Sequence, residues 1–299
     1  MHTNWIQDTQ ALLNSKDESA PTRRLALQTA LGLGYAAAAM PLIAQTAIQT
    51  SGEGLIEGEV TIDVNGFKMP AYRSAPKGKT NLPVVLVISE IFGVHEYIAD
   101  VTRRFAKAGY LAIAPELFVR QGDPSSYGEM GKLIAEVISK VPDAQVMADL
   151  DATVKWAGKN GGNADRAAIT GFCWGGRITW LYAAHNPKLK AGVAWYGRVE
   201  GQTNANNPKH AVDLAVQLKA PVLGLYGGDD AGIPVTSVNN MKEALAQAAS
   251  QGNAAAKASE FVVYPDMPHA FHADYRASYR ATAAVDGWKR AVAWLKQYV

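Results

Sequence analysis

The chain has 299 residues, 48% of them apolar and 19% charged, a mix that excludes a disordered or low-complexity polypeptide and leaves ample chain for a large core. Lys and Arg number 29 against 27 Asp and Glu, a formal net charge of +2, so no basic excess points to a nucleic-acid partner. The single cysteine, Cys173, excludes an intramolecular disulfide and any zinc site built on several cysteines.

The chain opens on a polar stretch that ends in Thr22-Arg23-Arg24-Leu25-Ala26-Leu27, and residues 25–52 carry no charge. The run from Leu25 to Ile48 has the length of a membrane span, which takes roughly 20 apolar residues. However, Gln28, Thr29, Gly32, Gly34, Gln45 and Thr46 dilute a segment built mainly of alanine. A long polar start, a paired arginine and a weakly apolar stretch resemble a twin-arginine export signal. Residues 1–50 are therefore expected to be a leader for the twin-arginine export machinery. The enzyme would then be periplasmic, with no stable membrane insertion after leader removal. Ala44 and Ala47 are candidate cleavage ends, although neither closes an A-x-A motif. An uncleaved anchor, or an alanine-rich tail on a cytoplasmic protein, is the alternative.

From residue 55 to 299 strands and helices alternate, which predicts one α/β domain with a mostly parallel sheet covered by helices on both faces. Glu57–Val64 and Lys68–Arg73 alternate around Asn65-Gly66, a hairpin signal. Pro83–Ser89 is a continuous apolar run, as a central parallel strand requires. A helix is expected over Ile98–Ala108, stopped by Gly109 in a left-handed C′ position. Strands are predicted at Tyr110–Ala114, Ala167–Gly171, Leu189–Tyr196, Pro221–Tyr226 and Glu260–Tyr264. Helices are predicted at Ala144–Lys159, Arg177–His185, Val235–Ser250 and Ala281–Tyr298.

Gly171-Phe172-Cys173-Trp174-Gly175-Gly176 falls at a strand-to-helix junction and has the G-x-nucleophile-x-G form of a nucleophile elbow, with cysteine as the nucleophile. Glycines two residues either side of Cys173 permit a tight turn, and the N-terminus of the following helix favours a thiolate. The Trp174 N–H is placed to donate to an oxyanion. In this architecture an acid and then a histidine should follow. His269, in the loop after the Glu260–Tyr264 strand, is the preferred base; His272 is its competitor. His185, near a helix end, reads as a capping or surface residue, and His210, in a polar loop, as solvated. After Leu223–Tyr226 come Asp229 and Asp230; Asp230 is preferred for orienting the imidazole, with Asp229 left to turn hydrogen bonds. Glu90 closes the apolar strand at the edge where ligands bind in open α/β sheets, and the Ile91 N–H is the expected second oxyanion donor. No P-loop or G-x-G-x-x-G is present, and neither a cofactor nor a metal is expected.

Four segments together carry a resemblance. Glu90-Ile91-Phe92-Gly93, Gly171 to Gly176, Gly228-Asp229-Asp230 through Ile233-Pro234, and His269-Ala270-Phe271 are similar to the dienelactone hydrolase (carboxymethylenebutenolidase) family, over about residues 55–299. The resemblance implies an α/β-hydrolase fold and a Cys173–Asp230–His269 triad. It also implies that Glu90 contacts the resting thiol and helps activate it when substrate binds. The family holds its substrate carboxylate with arginines, one of them four residues past the catalytic histidine, but here that position is Ala273. Arg120, Arg177 and Arg276 are the candidate substitutes. The expected activity is cofactor-free hydrolysis of a small ester or lactone. A thioesterase or general small-ester hydrolase on the same triad is the nearest alternative, and a non-catalytic ligand-binding or thiol-sensing protein is the rival from another class.

Overall fold

A computed structural model describes residues 47–299. The arginine pair and most of the expected leader lie outside the described residues. Among residues 47–299, no helix is long and apolar enough to cross a membrane. Thr50, inside the span expected to be leader, is tied to the folded body. Its backbone N–H donates to Asp100 Oδ1 at 2.5 Å and its hydroxyl to Oδ2 at 3.2 Å.

Strands β1 (Leu55–Val64) and β2 (Phe67–Pro76) form the expected hairpin, with Val64 opposite Phe67. Asn65 and Gly66 both take positive φ, 51° and 91°, as a two-residue hairpin turn requires. The strands β3 (Leu82–Ile88), β4 (Leu111–Pro115), β5 (Gly162–Phe172), β6 (Ala191–Trp195), β7 (Val222–Gly227) and β8 (Glu260–Tyr264) complete one sheet in the order β1-β2-β4-β3-β5-β6-β7-β8. Only β1–β2 and β2–β4 pair antiparallel. Val84 to Ile88 have no exposed surface, so the continuous apolar run of β3 is that of a strand covered on both faces.

The helices are α1 (Glu96–Lys107), α2 (Met130–Glu136), α3 (Asp143–Lys159), α4 (Trp174–His185), α5 (Ala211–Leu214), α6 (Val235–Ser250), α7 (Ala254–Ala258) and α8 (Ala281–Tyr298). The sequence reading lacks α2, α5 and α7, which are too short to show a helical period. It also starts the elbow helix at Arg177 rather than Trp174, because two glycines open the first turn. Gly109 takes φ +99°, the left-handed stop expected after α1.

Strand order places the site. From β3 the chain passes to β4 on one side, then crosses back to β5 on the other. The strand order therefore reverses between β3 and β5, and the carboxyl ends of strands at such a reversal open a crevice for ligand. Glu90 follows the end of β3, and Cys173 follows the end of β5.

Candidate active site

Cys173 sits between β5 and α4 with φ 54° and ψ −112°, a conformation L-residues rarely adopt. The surroundings impose it. The Cys173 N–H donates to the Trp195 carbonyl of β6 at 3.0 Å, while its own carbonyl accepts from Gly176 N (3.0 Å) and Arg177 N (3.2 Å). A Cβ on Gly171 would collide with the Gly175 carbonyl, and one on Gly175 with the carbonyls of Ile88 and Ser89. The turn is therefore wedged against the end of β3, close to Glu90 and Ile91. The first N–H groups of a helix have no intrahelical acceptor, and Trp174 opens α4 directly after Cys173.

Asp230 follows β7 and is buried; Asp229 beside it is exposed. Asp230 Oδ1 accepts from Gly232 N (3.0 Å) and Ile233 N (3.1 Å), which leaves Oδ2 for His269 Nδ1 at 2.7 Å. The turn bonds expected of Asp229 are thus made by Asp230: only the inward-pointing carboxylate faces those N–H groups. His269 stands in the loop after β8, flanked by the positive-φ residues Asp266 and Ala270. Burial disfavours its charged form. The Cys173 and Asp230 charges, with hydrogen bonds to both groups, outweigh this and hold the imidazole well above the usual histidine pKa. The Tyr196 ring packs edge-on against it at 5.1 Å.

His272 is elsewhere. It is buried, its Nδ1 is 2.6 Å from the Tyr97 hydroxyl, and burial together with Arg104 pushes its pKa well below the usual value. His185 lies 2.8 Å from Asp151 at the surface. His210 corrects the reading that made it solvated: it is 3% exposed, accepts from Arg177 Nε at 3.3 Å and contacts the Gln202 carbonyl at 3.1 Å. The polar loop folds back on helix α4, which local composition does not reveal.

Glu90 does not leave the core for solvent; it is 2% exposed. The Tyr275 hydroxyl donates to Glu90 Oε2 at 2.6 Å, and Arg276 Nη2 is 3.8 Å from the same oxygen. Arg276 Nε donates to the Tyr275 hydroxyl at 3.0 Å, and its guanidinium lies over the Phe92 ring at 4.8 Å. Burial, and after it the opposed effects of the Arg276 and Glu90 charges, leave the Tyr275 phenol well above the usual tyrosine pKa, so it stays a donor. These contacts place the Arg276 guanidinium beside the segment that follows β3, at Glu90 and Phe92. Tyr275 is absent from the sequence reading, because nothing in its spacing marks it.

Two of the three candidate arginines are committed to structure. Arg120 pairs with both oxygens of the buried Asp149 (2.6 and 2.8 Å) and lies over the Phe67 ring. Arg177 grips both oxygens of Asp143 (2.7 and 2.8 Å) and donates to the Lys209 carbonyl. Both corrections have one physical cause: a bidentate pair uses the planar fork that a substrate carboxylate would need. Arg177→Met should accordingly destabilise the fold by about 3 kcal/mol, since it strands a buried carboxylate. Urea unfolding would show a lowered midpoint. An unchanged midpoint with a raised KM would instead return Arg177 to substrate binding.

A mostly parallel eight-stranded sheet, with the strained Cys173 turn and the Asp230 and His269 loops at the carboxyl ends of its strands, defines an α/β-hydrolase. The chain belongs to the dienelactone hydrolase family, whose model matches residues 69–299. It is a carboxylic ester hydrolase by that membership. A Methylorubrum extorquens protein named "Putative carboxymethylenebutenolidase" is 57% identical over 279 residues, covering 93% of each chain. An Escherichia coli protein of the same name is 54% identical over 89% of this chain and 95% of its own. The crystal structure of a "Putative Dienelactone Hydrolase" from Klebsiella pneumoniae is 57% identical, with a TM-score of 0.78 over 82% of this chain and 99% of that one.

Proposed function

We propose that the protein hydrolyses small esters or lactones in the manner of a carboxymethylenebutenolidase, through Cys173, His269 and Asp230. The observation that carries this reading is the 2.7 Å Asp230–His269 pair, with the same imidazole near enough to the Cys173 side chain of the strained elbow for its charge to raise the histidine pKa. The Cys173 thiolate attacks the acyl carbon, and the amides of Trp174 and Ile91 hold the oxyanion. As the acyl–oxygen bond breaks, His269 gives its proton to the leaving alkoxide or enolate. It then takes one from water, whose oxygen attacks the thioester and expels the thiolate. Asp230 fixes the ring so that Nδ1 faces the carboxylate. Glu90, buried at the same strand edge, assists activation of the thiol. Arg276, the candidate arginine without a bidentate partner, receives a carboxylate on the substrate.

A panel of dienelactone, simple lactones, aryl esters and thioesters tests this proposal, with mass spectrometry of quenched reactions to trap acyl-Cys173. Turnover of a lactone or ester through an acyl-enzyme is the expected result. Preferred turnover of thioesters would move the assignment to the thioesterase reading, and absence of any acyl adduct would favour a binding or sensing protein.

The enzyme reaches the periplasm by the twin-arginine machinery, on the support of the Arg23-Arg24 pair and the uncharged stretch after it. The hydrogen bonds of Thr50 to Asp100 favour a leader cut ahead of it, at Ala44 or Ala47. Arg23→Lys with Arg24→Lys keeps the charge but loses the planar hydrogen-bonding fork. The doubly substituted protein should stay cytoplasmic at full length, while wild type appears shortened outside. Fractionation with immunoblotting decides this, and full-length wild type in the cytoplasm would refute it.

A further inference from the structure

We infer that Tyr275 is a positioning residue that keeps Glu90 off Arg276, and so keeps the guanidinium open to a substrate carboxylate. This rests on the proposed reading of the site. Glu90 and Arg276 are opposite charges, both largely withdrawn from water, with Nη2 and Oε2 3.8 Å apart. Left alone, such a pair closes to a direct, charge-assisted contact. The Tyr275 hydroxyl stands between them. It donates to Glu90 Oε2 at 2.6 Å and accepts from Arg276 Nε at 3.0 Å, satisfying both partners without bringing them together.

Two consequences follow from the geometry. Glu90 stays at the end of β3, beside the Cys173 turn, rather than swinging toward residue 276. Arg276 makes its hydrogen bond through Nε, the inner nitrogen, and lies over the Phe92 ring with its side chain 12% exposed, so its outer nitrogens are the ones left for an incoming carboxylate. The phenol therefore sets specificity: it governs how tightly a substrate that carries a carboxylate binds, and leaves an uncharged substrate unaffected.

Tyr275→Phe removes the hydroxyl and keeps the ring. The substrates are dienelactone and the same unsaturated ring with a bare methylene in place of the carboxymethylene group. Tyr275→Phe should raise KM for dienelactone about tenfold, the scale of one charged hydrogen bond, with kcat within about twofold. KM for the uncharged ring should stay within about twofold, a split that a merely structural loss would not produce. In an Arg276→Met background, Tyr275→Phe should no longer separate the two substrates. Calorimetric titration with maleate reads the same effect without turnover, and the variant should bind about tenfold more weakly than wild type. Equal changes for both substrates, no change for either, or wild type that binds no maleate overturns the inference. Hydrolysis that persists in Cys173→Ala overturns the proposed Cys173 mechanism instead.

Discussion

Cys173→Ala should lower kcat/KM by about 10⁴-fold or more while the protein unfolds at nearly the same temperature as wild type. The size follows from removing the nucleophile of a unit whose members act together; what remains is binding and oxyanion stabilisation. The unchanged stability follows from the site. Residue 173 is partly exposed, alanine at φ 54° meets the same strain as cysteine, and the hydrogen bonds of the turn are made by backbone atoms. Cys173→Ser should recover little. Its hydroxyl holds its proton far more firmly than a thiol, and an imidazole whose pKa is held well above the usual value is already protonated, so it is not free to take that proton before attack. Steady-state kinetics with thermal unfolding of the same samples checks both variants. Alanine protein with wild-type kcat/KM would remove Cys173 from the mechanism.

His269→Ala should lower kcat by at least ~10²-fold, the scale of losing a general acid–base. His272→Ala should act differently. Its side chain is buried and satisfies the Tyr97 hydroxyl, so its loss should appear as about 2–3 kcal/mol of stability, with a much smaller change in kcat. Asp230→Asn belongs with His269. An amide in place of the carboxylate removes the negative charge that helps keep the imidazole protonated, and can present an N–H to Nδ1, favouring the wrong tautomer. Asp229→Asn, at an exposed position, should change kcat little. Measuring the four variants together separates chemistry from folding; a greater kcat loss at His272 than at His269 would reverse the assignment.

Much of the scaffold was legible because its signals are local. Asn65-Gly66 takes the positive φ pair a short hairpin needs, and helices at Val235–Ser250 and Ala281–Tyr298 and a strand at Glu260–Tyr264 stand at the expected residues. These segments carry their own period or turn chemistry. Beginnings were less legible. β5 starts at Gly162 rather than Ala167, because its first half, Gly162–Arg166, is polar and only partly covered, so it lacks the apolar run that marks the second half.

The sequence by itself determined the order of the candidate site residues: the glycine-bounded Cys173 after one strand, Asp230 after another, His269 after a third, and Glu90 just past the end of the most apolar strand. Motif spacing and chain order are one-dimensional properties, and a fold that raises loops from the ends of parallel strands converts them directly into a cluster. Tertiary structure alone decided which charged groups are free. Arg120 meets Asp149 across 29 residues, Arg177 meets Asp143 across 34, and Tyr275 meets Glu90 across 185. A guanidinium or carboxylate announces its charge in the sequence. Its partner is chosen by packing, because a buried charge must be compensated by whatever group the fold brings within hydrogen-bond reach.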